Sequence, residues 1–456
     1  LMANFINDVV ISITKLLRAA VRENFSNVLI FANNIKQYTL TVGTGTSGII
    51  WTTKTGKIVE VVYTVSGNNT ALSISRSGSG TAFSPYIVNV IVATNGSAAA
   101  TSTALQVKTA ADLVSNVTDI LTVTLVSTGG GVVSALASTP LALDTVNSKA
   151  GVYRTFTTLS AMLDIYTVDD PEYKMASSLL ANTRKPARFK VYSKETADAI
   201  TATLASLVQS YNDWYYLVYD SEAKADLWEC GTFAASNKKR FVGGTSDITA
   251  LTARNNANEI YILDDTNDYS NVNILGQMST FTPGTATWKF KEGNNVSPVG
   301  YTQSNLQTIR DNKGQCFTQQ AGMVFLNESK TTAGTYIEDE VFADYLEARI
   351  KEDLLTLLVR QPKVAFDPDG IELIESTVRS TIKGIALVGG IAKVDTTSED
   401  ELLLSDDGIY KFTVTTPSAS EVSSTDKAQG ILNNVNATVY LSGAVHEIGM
   451  NLIITI

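Results

Sequence analysis

The sequence predicts a multidomain α+β / α/β protein. It has a split α/β core, an inserted β-rich domain, and a C-terminal helix-plus-sheet domain ending in an intermolecular β-strand. Three observations predict it. From about residue 150 strand-like and helix-like segments alternate, the rhythm of a largely parallel sheet. Residues 46–140 carry only seven charged side chains (Lys54, Lys57, Glu60, Arg76, Lys108, Asp112 and Asp119) and are filled with Thr, Ser, Gly, Val and Ala. The acidic surplus, 45 Asp and Glu against 35 Lys and Arg, falls almost wholly after residue 330. A chain of 456 residues makes about three domains, large enough to build cores without a disulfide or metal staple.

Residues 1–20 read as an N-terminal arm with a strand-like stretch, VVISIT (9–14). The core opens at 21–45, where NVLIFAN (27–33) is a short apolar run typical of a buried strand but has no partner nearby. The next module, 46–145, reads mostly as strand. IVEVVYTV (58–65), ALSISRS (71–77), YIVNVIVAT (86–94) and DILTVTLVS (119–127) are β-branched runs separated by turn clusters. One helix fits 99–116, where Leu105, Ala110, Leu113 and Val114 share a face.

The core resumes over 146–335. Helices are expected near 160–165 and 171–180, a strand at RFKVYS (188–193), and a helix over 196–211 with Ile200, Leu204, Leu207 and Val208 on one face. A strand WYYLVYD (214–220), a helix over 222–236 and a strand EIYILDD (259–265) follow. The lone strand at 27–33 fits this sheet, which makes 46–145 an insertion that splits one domain.

The C-terminal domain spans 336–456. Residues 336–361 form a long amphipathic helix whose stripe is Ile337, Val341, Tyr345, Leu346, Ile350, Leu354 and Leu357, ended by Pro362. A turn and second helix fill 367–391, stopped at Gly389-Gly390. Strands follow at 410–416 and 436–456, with 447–456 as a terminal arm. A free apolar strand edge aggregates unless another chain covers it.

Several chemistries are excluded. One histidine, His446, rules out histidine-rich metal sites, and it sits in a period-2 segment expected to be strand. Cys230 and Cys316 cannot build a disulfide framework and read as buried thiols. Gly43-Thr44-Gly45-Thr46-Ser47-Gly48 matches the dinucleotide spacing, but strand rather than helix follows, so it reads as a junction. The acidic turns at Asp264-Asp265, Asp367–Gly370 and Ser405–Gly408 lack the spacing of a calcium loop. A net charge of −10 disfavours nucleic-acid binding. No apolar window is long enough to cross a membrane as a helix, and the start lacks a basic stretch followed by an apolar one, so secretion is not expected. No cofactor, metal or catalytic residue is expected.

Three stretches together resemble one family, the contractile-tail sheath proteins of bacteriophages, in the divergent branch often labelled as phage proteins of unknown function. The first is RQPKVAFDPDGIELIESTVRSTIKGIALVGGI (360–391) with the helix before it, similar to the family's helix, short turn and second helix. The second is STDKAQGILNNVNATVYLSGAVHEIGMNLIITI (424–456), similar to the family ending in which an Asp-basic-Ala element precedes an apolar strand. The third is VYRTFTTLSAMLDIYTVDDPEYKMASSLL (152–180), resembling a sheath segment of helix, Pro-containing turn and helix. Gln429-Gly430 departs from the family, where an Arg is commoner at that place. The inserted module resembles the decoration domains such sheaths carry.

The resemblance implies a structural protein and not an enzyme. Such subunits stack as hexameric rings around a tail tube and contract to drive it through the host envelope. Their arms add strands to neighbours' sheets, the physics of β-augmentation. The arm residues here would be Val9, Val10, Ile11 and Ile13, and Met450, Leu452, Ile453, Ile454 and Ile456. The implied partners are copies of the chain, a tail tube protein, and baseplate and tail terminator proteins, with no nucleic acid and no membrane. The implied location is the virion tail sheath, assembled in the host cytoplasm. A helix of the C-terminal domain would touch the tube through charge pairs, which points to Arg379 and Lys383, four residues apart on one helix face. Two other readings stay open: another structural virion protein (a tail tube or baseplate component), and an α/β enzyme or polysaccharide-binding adhesin.

Overall fold

A computed structural model describes residues 8–10, 24–81, 83–266 and 268–446. The chain divides into two compact units. One takes the residues up to Ile30, Lys174–Lys190 and Leu204 onward; the other takes Phe31–Tyr173 and Val191–Thr203. Two strands, Val28–Asn33 and Phe189–Lys194, have their first residues in the former and their last in the latter.

In the unit that carries most of the chain, Tyr216–Tyr219, Arg240–Thr245, Glu259–Leu263 and Gln315–Gln320 run parallel in that order. Met323–Leu326 closes the edge antiparallel. The amides of Tyr215 and Tyr216 both donate to Asn27 O, which brings the start of Val28–Asn33 beside Tyr216–Tyr219. Its residues Val28, Leu29 and Ile30 are fully buried. Parallel strands covered on both faces need such unbroken apolar runs. Helix Lys224–Ser236 links two parallel strands, burying Leu227, Cys230, Phe233 and Ala234.

Arg240–Thr245 is a further strand that its residues do not advertise. It opens on a cation and contains Gly243-Gly244, neither of which signals a central strand. The Arg240 side chain is 2 % exposed. Its guanidinium donates to Tyr215 Oη at 3.0 Å, Asp344 Oδ2 at 2.7 Å and Glu340 O at 3.0 Å, and also to Ala257 O. Burial works against the charge, but Tyr215, Asp344 and Glu340 more than offset it and hold the group firmly protonated. A buried cation so fully partnered ties the sheet to the long helix Ile337–Arg360.

The other unit is dominated by two four-stranded sheets. One orders Ala142–Leu143, Tyr38–Val42, Ile49–Thr53 and Leu121–Leu125; the other orders Ser73–Ser77, Tyr86–Ile91, Val59–Thr64 and Leu136–Pro140. Alternate residues of both sheets, among them Ile49, Trp51, Val61, Tyr63, Val88, Val90 and Val123, meet helix residues Ala104, Val107 and Ala111 in one core. Trp51 Nε1 donates to Tyr63 Oη at 3.0 Å, so the largest core side chain has its polar atom satisfied. Helix Ala104–Asp112 starts at Thr103, which forms a capping box with Gln106. The Gly43–Gly48 motif is the turn of the hairpin between Tyr38–Val42 and Ile49–Thr53, with Gly43 and Gly45 at positive φ.

The segments entering and leaving these sheets are braced. Gln37 N donates to Ser148 Oγ at 2.8 Å, and Ser148 Oγ donates to Ala150 O at 2.7 Å. Asn34 Nδ2 reaches both oxygens of the buried Glu172 at 3.0 Å, and Ser193 Oγ donates to the same carboxylate. Lys36–Asp198 and Lys149–Asp170 ion pairs flank it at 2.7 and 2.5 Å.

Candidate functional site

The C-terminal helix pair and its sheet hold Val9, Val10, Arg379 and Lys383. The long helix Ile337–Arg360 buries Ile337, Val341, Phe342, Leu346, Ile350 and Leu354. Asp367 caps the second helix, Pro368–Ala386, by accepting from Gly370 N at 2.8 Å, with Pro368 in the first turn. This helix buries Ile371, Val378, Ile382, Ile385 and Ala386. Gly390 has φ +87°, and a Cβ there would lie 2.7 Å from the Phe342 ring. Both conformation and space therefore require glycine.

The helices pack on a three-stranded antiparallel sheet ordered Asp8–Val10, Asn436–Tyr440, Phe412–Thr415. Phe412, Val414, Ala437 and Val439 point into a core shared with Leu346, Ile350, Val378 and Ile382. Thr413 and Thr438 face the other way and are half-buried. The alternation follows from the two-residue period of a strand.

The structure places the expected arm residues as follows. Val9 pairs with Val439 and Val10 with Thr438, so Asp8–Val10 adds a strand to the edge of Asn436–Tyr440 within the same chain. Ile11, Ile13, Met450, Leu452, Ile453, Ile454 and Ile456 lie outside the described residues.

Arg379 and Lys383 share one face of the second helix, and both meet the 405–414 segment. Arg379 donates to Glu375 Oε1 at 2.7 Å and Val414 O at 2.9 Å, and ion-pairs with Asp406. Lys383 has a side chain 52 % exposed, with its Nζ 3.7 Å from Asp407 Oδ2. Three carboxylates thus serve two cations. The Thr416 hydroxyl at 2.6 Å, with Arg379, holds Glu375 below the usual carboxylate range. For Asp407, burial is outweighed by the Tyr410 and Ile409 amides, each at 2.9 Å, and its value also falls.

His446 departs from expectation. The strand ends at Tyr440, Gly443 turns the chain at φ +57°, and His446 lies beyond it. Its ring stacks on Tyr336, centroids 4.2 Å apart and 2° from parallel, with Nε2 3.2 Å from Glu338 Oε1. The segment 442–444 borders a cavity of about 370 Å³ lined also by Phe281, Lys291, Glu338, Asp339 and Phe342. Burial, then Glu338 and Glu340, push Asp339 up to about 6. The acidic turns use their oxygens locally: Asp264 accepts from Thr266 and Ser270 amides, and Asp407 from Ile409 and Tyr410. Among the described residues no group of three or more His, Cys, Asp or Glu could hold a metal ion, and no helix is long and apolar enough to cross a membrane.

No protein-family model matches the sequence, and no curated protein does. Solved structures do. A chain of the anti-feeding prophage baseplate, 6-fold symmetrised, matches with TM-score 0.53 and 12% identity over 67% of this chain and 89% of that one. A chain of the anti-feeding prophage helical sheath in its contracted state matches with TM-score 0.53 and 12% identity, over 67% and 88%. A chain of the PVC sheath complex of an extracellular contractile injection system, also contracted, gives TM-score 0.52 and 10% identity, over 67% and 87%. Over two thirds of its length this mixed α/β chain shares the fold of contractile-sheath chains.

Proposed function

We propose that this chain is the structural subunit of a contractile tail sheath. Copies stack as six-fold rings around a tube, and contraction drives the tube through a host envelope. The observation that carries the reading is the C-terminal sheet, in which Asn436–Tyr440 accepts Asp8–Val10 as an added strand. The same pairing made between copies links subunits through backbone bonds of ~0.5–1.5 kcal/mol each, repeated around every ring. The likeness to two contracted sheaths supports it.

In this reading residues 1–20 and 447–456 are the arms, 336–456 the domain that carries the mesh, and the core spans 21–37 with 144–335, because Tyr38–Val42 pairs with Ile49–Thr53 and with Ala142–Leu143. The 38–143 module sits on the outside. Lys383 faces the tube, with Arg379 beside it on the same helix. Exposed ion pairs suit a contact that must release, since each is worth only ~0–1 kcal/mol and salt weakens it. Deleting 449–456 tests the mesh. A folded chain that no longer polymerises is expected; ordered tubes from the truncated chain would contradict it. A baseplate component is the second reading, because one matched chain belongs to a baseplate.

A further inference from the structure

An outer strand exposes unpaired backbone groups that invite another strand, and proteins close such edges with charged side chains or covering segments. Among the described residues Phe412–Thr415 is an outer strand of the C-terminal sheet, with Asn436–Tyr440 on its inner side. Its outward groups are already taken. Phe412 O accepts from Asp406 N at 3.0 Å. Val414 N donates to Asp406 Oδ2 at 2.6 Å, and Val414 O accepts from Arg379 Nη2 at 2.9 Å. The two side chains doing this are ion-paired to each other.

The plug is itself fixed. Glu375 Oε1 accepts from Arg379 Nε at 3.0 Å and Nη2 at 2.7 Å, while Glu375 Oε2 accepts from Thr416 Oγ1 at 2.6 Å. Asp406 sits in a turn closed by Ser405 Oγ donating to Tyr410 O at 2.7 Å. The Arg379 and Asp406 side chains are 33 % and 20 % exposed, so solvent competes only in part. An incoming strand would need the Val414 atoms that this pair occupies.

We infer that Arg379 and Asp406 form an edge plug that closes the Phe412–Thr415 side of the sheet to strand addition and leaves the Asn436–Tyr440 side to receive strands. The inference concerns the folded chain alone and stands whether or not the chain is a sheath subunit. It gives Arg379 a task that its helical spacing does not reveal, because Asp406 lies 27 residues further along the sequence.

The test compares the full-length chain with Arg379→Ala, Asp406→Ala, the double variant and Arg379→Lys. Amide hydrogen exchange is read at 412–415, and sedimentation velocity at a concentration where the unaltered chain is monomeric. Loss of the Val414 acceptor in Asp406→Ala should speed exchange there about tenfold, the effect of one lost hydrogen bond. Both alanine variants should self-associate, and Arg379→Lys should fall between them and the native chain. Native-like exchange at Val414 in Asp406→Ala would overturn the inference. So would alanine variants that stay monomeric. Should Arg379→Ala not fold, Asp406→Ala alone decides by the same two readouts.

Discussion

The carbonyl oxygen of Gln37 accepts the amide hydrogen of Asp144 at 2.8 Å. These residues, 107 positions apart in sequence, flank the two sheets that hold Trp51 and Tyr63. Thr39 pairs with Ala142 and Tyr38 with Leu143, so the entering and leaving strands run side by side. Closely spaced ends are what let one domain sit inside another. Replacing 38–143 by two or three glycines should leave the remainder folded, and the 38–143 piece should fold alone. Excising 46–145 should do worse, since it strands Tyr38–Val42 without its partner Ile49–Thr53. Circular dichroism melts of both deletions check this.

Asp339 makes stability depend on pH. Its carboxyl is held near 6 in the fold, against about 4 in an unfolded chain. The native state therefore keeps the proton longer. Stability falls as pH rises from about 4 to about 6, and the penalty is full above that. Asp339→Asn should raise stability at pH 7.5 by on the order of 1–2 kcal/mol, a value discounted for partial solvent access, and should do nothing at pH 4. Urea titrations at the two pH values measure it.

Arg240 anchors the long helix to the parallel sheet. Arg240→Ala removes the cation from the Asp344 carboxylate, which keeps only the Tyr215 hydroxyl at 2.6 Å, and takes a donor from Tyr215 Oη and two carbonyls. A loss of ~3–5 kcal/mol is expected, as for a broken buried pair. Arg240→Lys should recover only part, because an ammonium cannot reproduce the planar fork. Chemical denaturation of both variants reads the difference.

His446 pins the segment 441–446. Leu441 bridges Ile391, and Ser442 N donates to Gly390 O at 3.0 Å, so that end is tied. The other end is held by the stack on Tyr336. His446→Ala should weaken it by about 1 kcal/mol, while His446→Phe keeps most of the contact. With one histidine in the chain, the native ring gives an unambiguous proton resonance, expected upfield through the Tyr336 ring and restored to an ordinary position in Tyr336→Ala.

Much of this was legible in the residues. The stripe Ile337, Val341, Leu346, Ile350 and Leu354 marks a helix because burial on one face repeats every 3.6 residues, and the helix runs Ile337–Arg360. The run 27–33 betrayed a buried strand by having no polar alternation. What was hidden depends on distant partners. Arg240 opens a central strand only because Asp344 neutralises it, 104 residues away. Tyr38–Val42 belongs to the module's sheet because it pairs across the Gly43–Gly48 turn with Ile49–Thr53, so a boundary at 46 falls inside a hairpin. Arg379 and Lys383 show their shared helix face in sequence, but not the Asp406 and Asp407 carboxylates that meet it.

Electron microscopy of the purified full-length chain at assembly concentrations shows directly whether copies build a sheath. A sheath subunit should give hollow helical tubes built from stacked six-fold rings, absent when 449–456 is deleted. Discrete globular particles at every concentration, with the chain folded, would contradict it.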